Sequence, residues 1–315
     1  MFYPRPSHVL KNFLILPGAG LAWILSVEFI EVSQVTTALV QLSLTFLACC
    51  IIAAWNYLLN DFCDSEGDRW HPEKCERITR GRKLTFPKLM LSGILLLSAA
   101  GLVWFAGLDT PVTATLSLFV LSGAIYNIPP IRLKQFPFLD VMTEAANFPI
   151  RLTLGWYAII PDSSLPPLSA LLAVWAFGGV LLTGKRAAEL ARINDPTTAH
   201  AYRPALLHYT RERALVISSL YGMVMLFGAG VLFAVYSPLH NLIFLIPAVL
   251  ALMGIYLWKI ADEGLSAREL EPEKLLRRPF VLLTAFALVL LTIYLVNLPI
   301  DLTAKLGFFG SSSDR

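Results

Sequence analysis

Long apolar stretches recur along the whole chain, and they limit the folds open to it more than any other feature. A transmembrane helix needs about 20 mostly apolar residues. Stretches near this length lie at roughly 13–32, 36–59, 89–107, 111–128, 138–160, 166–184, 214–236, 240–259 and 279–299. Only 15% of the residues are charged and 56% are hydrophobic, whereas a soluble domain carries about 25% charged residues. We therefore predict an all-α integral membrane protein of about nine transmembrane helices, folded as one polytopic domain over residues 1–315.

Basic residues are concentrated in segments that alternate with these apolar stretches. If odd-numbered spans start in the cytosol, five segments share the cytosolic face: 1–12, 60–88, 129–137, 185–213 and 259–278. These segments hold 22 of the 25 Lys and Arg residues, and loops rich in such residues face the cytosol. We predict a multi-pass cell-membrane protein with a cytosolic N-terminus and an extracytosolic C-terminus. The basic face also suits the anionic headgroups of the lipid bilayer, and we expect no nucleic-acid partner.

A cluster of carboxylates follows the second apolar stretch, at its predicted cytosolic end. Asn60 is followed within eight residues by Asp61, Asp64, Glu66 and Asp68. The three aspartates have i, i+3, i+7 spacing, which places them on one face if the helix continues. Hard oxygen ligands suit Mg²⁺, which shares its remaining positions with waters and substrate phosphates. We predict a Mg²⁺ site formed by the three aspartates in an enzyme of phosphorylated substrates; the competing interpretation is a solvated charged loop.

Basic side chains follow the acids in the same loop, among them Arg69, Lys74 and Arg77. Acids that hold Mg²⁺ could neutralise a diphosphate from one side, while these bases approach its outer oxygens from another. The alternative is that the bases only mark the topology of the loop. Both interpretations stay open on the sequence alone.

Three polar residues lie at membrane depth in the fifth apolar stretch. Glu144, Asn147 and Arg151 again have i, i+3, i+7 spacing, so a helix presents them as one stripe. Ionisable residues at this depth indicate a functional site by default. One interpretation is a buried structural link between Glu144 and Arg151, completed through Asn147 or water. The other is a wall of the reaction cavity.

Three segments together resemble the UbiA superfamily of intramembrane prenyltransferases. The first is Asn60-Asp61-x-x-Asp64-x-x-x-Asp68-Arg69-x-His71-Pro72-x-Lys74, which looks like the first signature of that superfamily. The opening segment 5–12, which contains Lys11, is similar to its basic pre-helix segment, and the segment from Tyr126 to Lys134 resembles its tyrosine-to-lysine loop. The resemblance implies a helical bundle around a central cavity, open sideways to lipid and capped by cytosolic loops at about 60–88, 129–137 and 185–213.

The segment after the sixth apolar stretch departs from most members, which carry a second aspartate-rich motif there for another Mg²⁺. This chain has Gly184-Lys185-Arg186-Ala187-Ala188-Glu189-Leu190 instead. The pattern resembles the decaprenyl-phosphate phosphoribosyltransferase branch, in which Gly-Lys-Arg-x-x-Glu-Leu stands at this position, and Arg203 ahead of Leu206-Leu207-His208-Tyr209-Thr210 is a further similarity. Two cations at a helix end can bind an anionic phosphate without a metal. The competing interpretation is a basic anchor at the cytosolic end of a helix.

The resemblance implies a Mg²⁺-dependent transferase with Asp61 and Asp64 as catalytic residues. It implies substrate binding by Lys11, Asn60, Arg69, Lys74, Arg77, Tyr126, Lys134, Lys185, Arg186, Glu189 and Arg203. The leading hypothesis is transfer of 5-phosphoribose from phosphoribosyl diphosphate, a soluble substrate, to a polyprenyl phosphate. The alternative is transfer of an isoprenyl group from a prenyl diphosphate to an aromatic or other small acceptor. A transporter is the hypothesis from another class, and the cytosolic clustering of charge disfavours it.

Overall fold

The computed structural model describes residues 11–26, 32–71, 75, 86–193, 195–262 and 279–305, and within these ranges all regular secondary structure is helical. The α-helices, in chain order, are α1 (Ile15–Ser26), α2 (Val32–Cys63), α3 (Phe86–Ala106), α4 (Thr110–Asn127), α5 (Leu139–Ala145), α6 (Asn147–Ile159), α7 (Leu168–Ile193), α8 (Pro196–Tyr202), α9 (Arg211–Val235), α10 (Ile246–Ala261), α11 (Pro279–Val296) and α12 (Leu302–Lys305). Short 3₁₀ helices are Lys11–Leu14, Gly67–Trp70, Leu133–Gln135, Pro204–His208 and Ser237–Leu245.

Within the described residues, four helical segments are long and apolar enough to cross a membrane: Gln34–Cys63, Leu168–Ile193, Arg211–Val235 and Ser237–Ala261. Met90–Ala106 and Val281–Val296 are shorter apolar helices. The prediction of an all-α membrane protein is thus confirmed for the described residues, while the number of nine spans stays a prediction. The fifth predicted span is interrupted, because α5 ends at Ala145 and α6 begins at Asn147.

The chain divides into two compact units, and helix α7 contributes to both. The first unit comprises Met1–Pro166 and Glu189–Thr210, and the second comprises Pro167–Ala188 and Arg211–Arg315. The core of the first unit is formed by α1, α2, α3, α4 and α6, with fully buried side chains that include Ile15, Ala48, Val112, Phe119 and Leu154. The core of the second unit contains Val180, Ala187, Ala188, Ala214, Tyr256 and Ile260.

Helices α1 and α6 pack against each other through two glycines. A Cβ atom on Gly18 would overlap the backbone carbonyl of Leu152, and one on Gly155 would overlap the backbone carbonyl of Ile15. Small residues at such crossings allow close approach of the two backbones in a membrane, where there is no hydrophobic force between helices. Beside this crossing the Arg151 Nε donates a hydrogen bond to the Asn12 Oδ1 at 2.9 Å, which ties the first 3₁₀ helix to α6.

Candidate active site at the end of helix α2

The acidic cluster begins on the last turn of α2 and continues on a helical backbone. The Asp64 amide donates to the Asn60 carbonyl at 2.9 Å, and the Asp68 amide donates to the Asp64 carbonyl at 2.8 Å. The Ser65 amide donates to the Phe62 carbonyl at 3.3 Å, so residues 64–66 form turns that lead into the 3₁₀ helix Gly67–Trp70. The placement of the three aspartates on one face stays a prediction. Asp61 is exposed, whereas Asp64 and Asp68 are half-buried.

Asp64 lies in a small cleft, and the other charged side chains that line it in the described part of the chain are all cations. Its Oδ1 is 2.6 Å from the Lys134 Nζ and 3.2 Å from the Arg132 Nη2. Arg203 also lines the cleft, together with Gln135, Tyr202 and Pro204. The cavity volume is about 20 Å³, enough for a water molecule or a bare ion. Three cations around one carboxylate leave the cleft with a net positive charge, which favours an anionic ligand.

Lys134 is one of the most deeply buried charged residues in the first unit, with 2% exposure. Besides its ion pair with Asp64, its Nζ donates to the Asn127 Oδ1 at 2.8 Å and to the Asn60 Oδ1 at 3.4 Å. Burial lowers the pKa of the Lys134 ammonium below its ordinary value, repulsion from the neighbouring arginines acts in the same direction, and Asp64 opposes the shift. These three oxygen partners compensate for the loss of water around the ammonium.

The loop between α4 and α5 delivers Arg132 and Lys134 to the cleft through an unusual backbone. Arg132 has a φ of 35°, in the left-handed region that non-glycine residues seldom occupy. Its guanidinium is held there by two acceptors, because the Nη2 donates to the Cys63 carbonyl at 2.7 Å as well as to Asp64. Arg132 therefore satisfies a carbonyl at the C-terminal end of α2 and at the same time lines the cleft.

Tyr126 connects the cleft with the polar stripe in the membrane. The Lys134 Nζ lies 5.9 Å from the centre of the Tyr126 ring, and the Tyr126 hydroxyl donates to the Glu144 Oε2 at 3.0 Å. Deeper along the stripe, the Ser122 hydroxyl donates to the Asn147 Oδ1 at 3.1 Å. Arg151 donates to the backbone carbonyl of Asn147 at 2.8 Å. The stripe thus joins α4, α5 and α6 in one hydrogen-bonded network.

Two cytosolic segments pack against each other beside the cleft. A Cβ atom on Gly67 would lie 2.7 Å from the backbone carbonyl of Tyr202, so the 3₁₀ helix Gly67–Trp70 packs directly on the end of α8. The His71 ring, 2% exposed, makes an edge contact with the Tyr202 ring at a centroid distance of 4.9 Å. This packing holds the segment that follows Asp64 next to the segment that carries Arg203.

The structure brings four of the predicted site residues together: Asn60, Asp64, Lys134 and Arg203. Near the end of α2, Asp61 and Arg69 are exposed and Asp68 is half-buried. Lys11 is half-buried in the first 3₁₀ helix, and the Tyr126 and Glu189 side chains are buried. Lys185 and Arg186 lie in the second unit. Arg186 is fully buried and Lys185 is half-buried. Lys74 and Arg77 lie outside the described residues. The roles assigned to all of them stay predictions.

The donor types at the end of α2 fit a hard divalent cation. Asp61 and Asp64 offer carboxylate oxygens one helical turn apart, and Asn60 adds an amide oxygen, all ligands that Mg²⁺ accepts. Among the described residues, no three His, Cys, Asp or Glu side chains are close enough together to hold a metal ion, and Asp64 faces cations instead. The Mg²⁺ site therefore stays a prediction based on the chemistry of its donors.

Four side chains at or behind the cleft were not assigned a role from the sequence: Arg132, Asp140, Tyr202 and Tyr209. Asp140 is fully buried and accepts a hydrogen bond from the Tyr209 hydroxyl at 2.6 Å. Spacing could not reveal this pair, because 69 positions separate its members. The available signal was the segment after Arg203, in which Tyr209 belongs to the similarity with the phosphoribosyltransferase branch.

Comparison with known proteins identifies the family. The sequence profile of the UbiA prenyltransferase family matches residues 20–269. The chain belongs to the UbiA family. It is therefore a multi-pass membrane protein, in agreement with its apolar helices.

Curated relatives of this UbiA-family chain include two decaprenyl-phosphate phosphoribosyltransferases. The protein from Mycolicibacterium smegmatis is 28% identical over 190 residues, which are 59% of this chain and 55% of the relative. The protein from Mycobacterium tuberculosis is 29% identical over 213 residues, which are 65% of this chain and 64% of the relative. The chain thus matches between about half and two thirds of the length of these relatives.

Solved structures of a UbiA homologue from Archaeoglobus fulgidus share the fold. The structure bound to GPP and Mg²⁺ has a TM-score of 0.61 at 17% identity, with coverage of 91% of this chain and 95% of that chain. The structure bound to DMAPP and Mg²⁺ has a TM-score of 0.62, also at 17% identity, covering 91% and 94%. At 17% identity, this similarity shows that the UbiA-family chain and the Archaeoglobus fulgidus protein share a fold.

Proposed function

We propose that this UbiA-family protein is a Mg²⁺-dependent transferase that moves 5-phosphoribose from phosphoribosyl diphosphate to a polyprenyl phosphate. The observation that carries the proposal is the cleft at the end of α2, where Arg132, Lys134 and Arg203 surround Asp64. Cations that converge from separate segments suit a diphosphate, whose several oxygens need several donors. The two curated relatives support phosphoribose as the transferred group.

The donor diphosphate would bind at the opening of the cleft in the first unit, because the cleft itself has room only for a water molecule or a bare ion. Arg132 and Arg203 would donate to its oxygens through planar guanidinium groups, and Lys134 would contribute a point charge. Asp61 and Asp64 would hold Mg²⁺, with Asp68 nearby. Bound there, Mg²⁺ would stabilise the negative charge that develops on the leaving diphosphate.

The acceptor phosphate would bind near Lys185 and Arg186, while its polyprenyl chain stays in the lipid. Lys185 is the more accessible of the two, and the fully buried Arg186 would add positive charge beside it. Cationic side chains at this position cannot act as ligands of a second Mg²⁺, but they can bind a phosphate that carries no metal ion. Two separate anion sites fit a reaction between two phosphorylated substrates.

The transfer itself needs positioning and charge stabilisation more than proton transfer. An oxygen of the acceptor phosphate attacks the anomeric carbon of the ribose, and the bond from that carbon to the diphosphate oxygen breaks. A phosphate oxygen is already ionised near pH 7, so no general base has to activate it. The residues of the cleft would act mainly by stabilising the departing diphosphate.

Prenyl transfer is the second candidate, because the solved structures that share the fold are bound to GPP or DMAPP with Mg²⁺. The same aspartates would then assist ionisation of an allylic diphosphate, and an aromatic or other small molecule would be the acceptor. The Lys185-Arg186 pair disfavours this candidate, because it stands where a second aspartate-rich motif would bind another Mg²⁺ on a prenyl diphosphate.

The deciding experiment incubates the purified full-length protein with Mg²⁺, labelled phosphoribosyl diphosphate and a polyprenyl phosphate. We expect label in the lipid phase, which would also exclude the transporter hypothesis. If no label appears with several chain lengths, while a labelled prenyl diphosphate reacts with aromatic acceptors, the phosphoribosyl proposal is wrong and prenyl transfer replaces it.

The same assay tests the acceptor site. Lys185→Ala should raise the KM for polyprenyl phosphate more than the KM for phosphoribosyl diphosphate, by roughly the 1.5–3 kcal/mol of a charge-assisted contact. Lys305→Ala is the matched control, since this exposed lysine belongs to the same unit but lies on the predicted extracytosolic face. Equal increases in both KM values would contradict separate anion sites.

A further inference from the structure

Tyr209 joins two cytosolic segments through a single buried hydroxyl group. The side chain is 1% exposed, and its hydroxyl donates to the Asp140 Oδ1 at 2.6 Å. The same hydroxyl oxygen accepts the backbone N–H of Phe138 at 3.2 Å. Tyr209 therefore connects the segment after Arg203 with the loop that carries Arg132 and Lys134.

Asp140 behind the cleft has a second partner that lines it. Its Oδ2 is 3.9 Å from the Arg203 Nη1, and the Asp140 side chain is completely inaccessible to solvent. A buried carboxylate is unfavourable unless its oxygens are bonded or paired. Here one oxygen accepts the Tyr209 hydroxyl and the other faces the guanidinium, so the position of Arg203 is linked to the Tyr209 contact.

The backbone at Phe138 indicates that the surrounding structure holds this arrangement firmly. Phe138 has a φ of 66°, a conformation that a bulky side chain adopts only where its neighbours impose it. The Phe138 ring makes an edge contact with the Tyr209 ring at a centroid distance of 5.5 Å, and the Phe138 N–H donates to the Tyr209 hydroxyl. Strained residues of this kind are concentrated at functional sites.

We propose that Tyr209 and Asp140 form a positioning pair, which fixes the Arg203 guanidinium in the cleft and thereby sets the affinity of the cleft for a diphosphate. Neither member of the pair lines the cleft, so both act through Arg203. The inference goes beyond the proposed function, because it holds whether the diphosphate belongs to phosphoribosyl diphosphate or to a prenyl diphosphate.

The test measures binding of inorganic diphosphate in saturating Mg²⁺ to the full-length protein by calorimetry. Tyr209→Phe keeps the ring and removes the hydroxyl, and Arg203→Ala removes the guanidinium. We expect each substitution to weaken binding about tenfold, the size of one charge-assisted hydrogen bond. The double variant should bind about as well as Arg203→Ala alone, because the hydroxyl acts only through the guanidinium.

A merely structural role for Tyr209 predicts a different outcome. In that case the losses from Tyr209→Phe and Arg203→Ala would multiply in the double variant, or Tyr209→Phe would bind like the wild type; either result overturns the proposal. Trp156→Phe is the control, since it removes partly buried hydrogen bonds to Ser163 and Ser164 at the far end of α6 in the same unit. It should lower the melting temperature without changing the diphosphate affinity.

Asp140→Asn supplies a second variant if Tyr209→Phe does not fold. It keeps the shape of the side chain and an acceptor for the tyrosine, but removes the charge that faces Arg203. We again expect about tenfold weaker binding, and an unchanged affinity would overturn the proposal. Absence of diphosphate binding by the wild-type protein would overturn it as well. None of these results depends on phosphoribosyl transfer, so the two proposals fail separately.

Discussion

At the scale of single residues, the Asp64 carboxylate has one observed role and one proposed role. It neutralises Lys134 and Arg132 at 2.6 and 3.2 Å, and we assign it to Mg²⁺ as well. We expect Asp61→Asn and Asp64→Asn each to lower kcat by about a hundredfold or more, because a lost metal ligand removes several kcal/mol of leaving-group stabilisation. Asp68→Asn should have a smaller effect. Steady-state kinetics at limiting Mg²⁺ measure these changes.

The control for these substitutions is Asp162→Asn, an exposed aspartate of the first unit on the predicted extracytosolic face. It should leave kcat unchanged. Near-normal activity of Asp61→Asn at limiting Mg²⁺ would remove the metal-site assignment, whereas activity restored only by high Mg²⁺ would support it.

Part of the site could be predicted at this scale. Asn60, Asp64, Lys134 and Arg203 were assigned from motifs, and all four meet at the cleft or beside it. The link between Asp140 and Tyr209 could not be predicted, because it joins distant segments through one hydroxyl group and no local spacing encodes it. An aspartate at the start of a helix is also explained by the helix dipole, which conceals its second role.

At the scale of elements, the contact between the Gly67–Trp70 helix and α8 depends on a missing side chain. Gly67→Ala would place a Cβ 2.7 Å from the Tyr202 carbonyl, and a backbone atom cannot move aside as a flexible side chain does. We expect a loss of about 1–3 kcal/mol in stability and a raised KM for the donor, since Tyr202 and Arg203 are adjacent. Thermal unfolding and donor kinetics measure the two effects.

A matched control for this substitution lies in α3. Gly93→Ala adds the same methyl group to a helix where no neighbouring element lies within 4 Å of the new Cβ, so it should leave the KM unchanged and should not lower the melting temperature. A Gly67→Ala protein with wild-type KM would show that the contact does not influence the cleft.

The crossing of α1 and α6 gives a second prediction at this scale. Gly18→Ala would overlap the Leu152 carbonyl, whereas Gly20→Ala, on the same helix, meets nothing within 4 Å. We expect Gly18→Ala to lower the melting temperature or the yield of folded protein strongly, and Gly20→Ala to have little effect. Similar yields and melting temperatures for both variants would contradict the close packing of these helices.

The long apolar stretches coincide with long helices in the described residues, but they do not indicate one interruption. The predicted span 138–160 is divided between α5 and α6, and the Asn147 side chain donates to the backbone carbonyl of Glu144 at 3.1 Å. Asparagine competes with the helical backbone for such carbonyls. A hydropathy pattern counts this residue as one polar position and carries no information about its hydrogen bond.

At the scale of the whole molecule, the distribution of Lys and Arg predicts the orientation in the membrane. In a background without native cysteines, Ser313→Cys should react with an impermeant thiol reagent added outside intact cells, because the C-terminus is predicted to be extracytosolic. Glu66→Cys, in the predicted cytosolic loop, is the paired control and should react only after permeabilisation. The reverse pattern would invert the predicted topology.

The division into two compact units is also a property of the whole molecule. Helix α7 supplies residues up to Ala188 to one unit and residues from Glu189 onward to the other. The continuous helix α7 offers no linker and no loop at the boundary, which are features that mark domain limits in a sequence. The single polytopic domain over residues 1–315 is predicted from the apolar stretches that recur along the whole chain, and it stays a prediction.

The ion pair between Asp64 and Lys134 has a consequence for the order of ligand entry. While this ion pair is intact, the negative charge of Asp64 offsets part of the positive charge that lines the cleft. A free cation on Asp64 would leave Lys134 without its counter-charge, and a free anion on Lys134 would leave Asp64 in the same condition. When a metal ion and a diphosphate bind together, the metal ion neutralises Asp64 and the diphosphate neutralises Lys134. Each ligand should therefore increase the affinity of the protein for the other, and by thermodynamic reciprocity to the same degree.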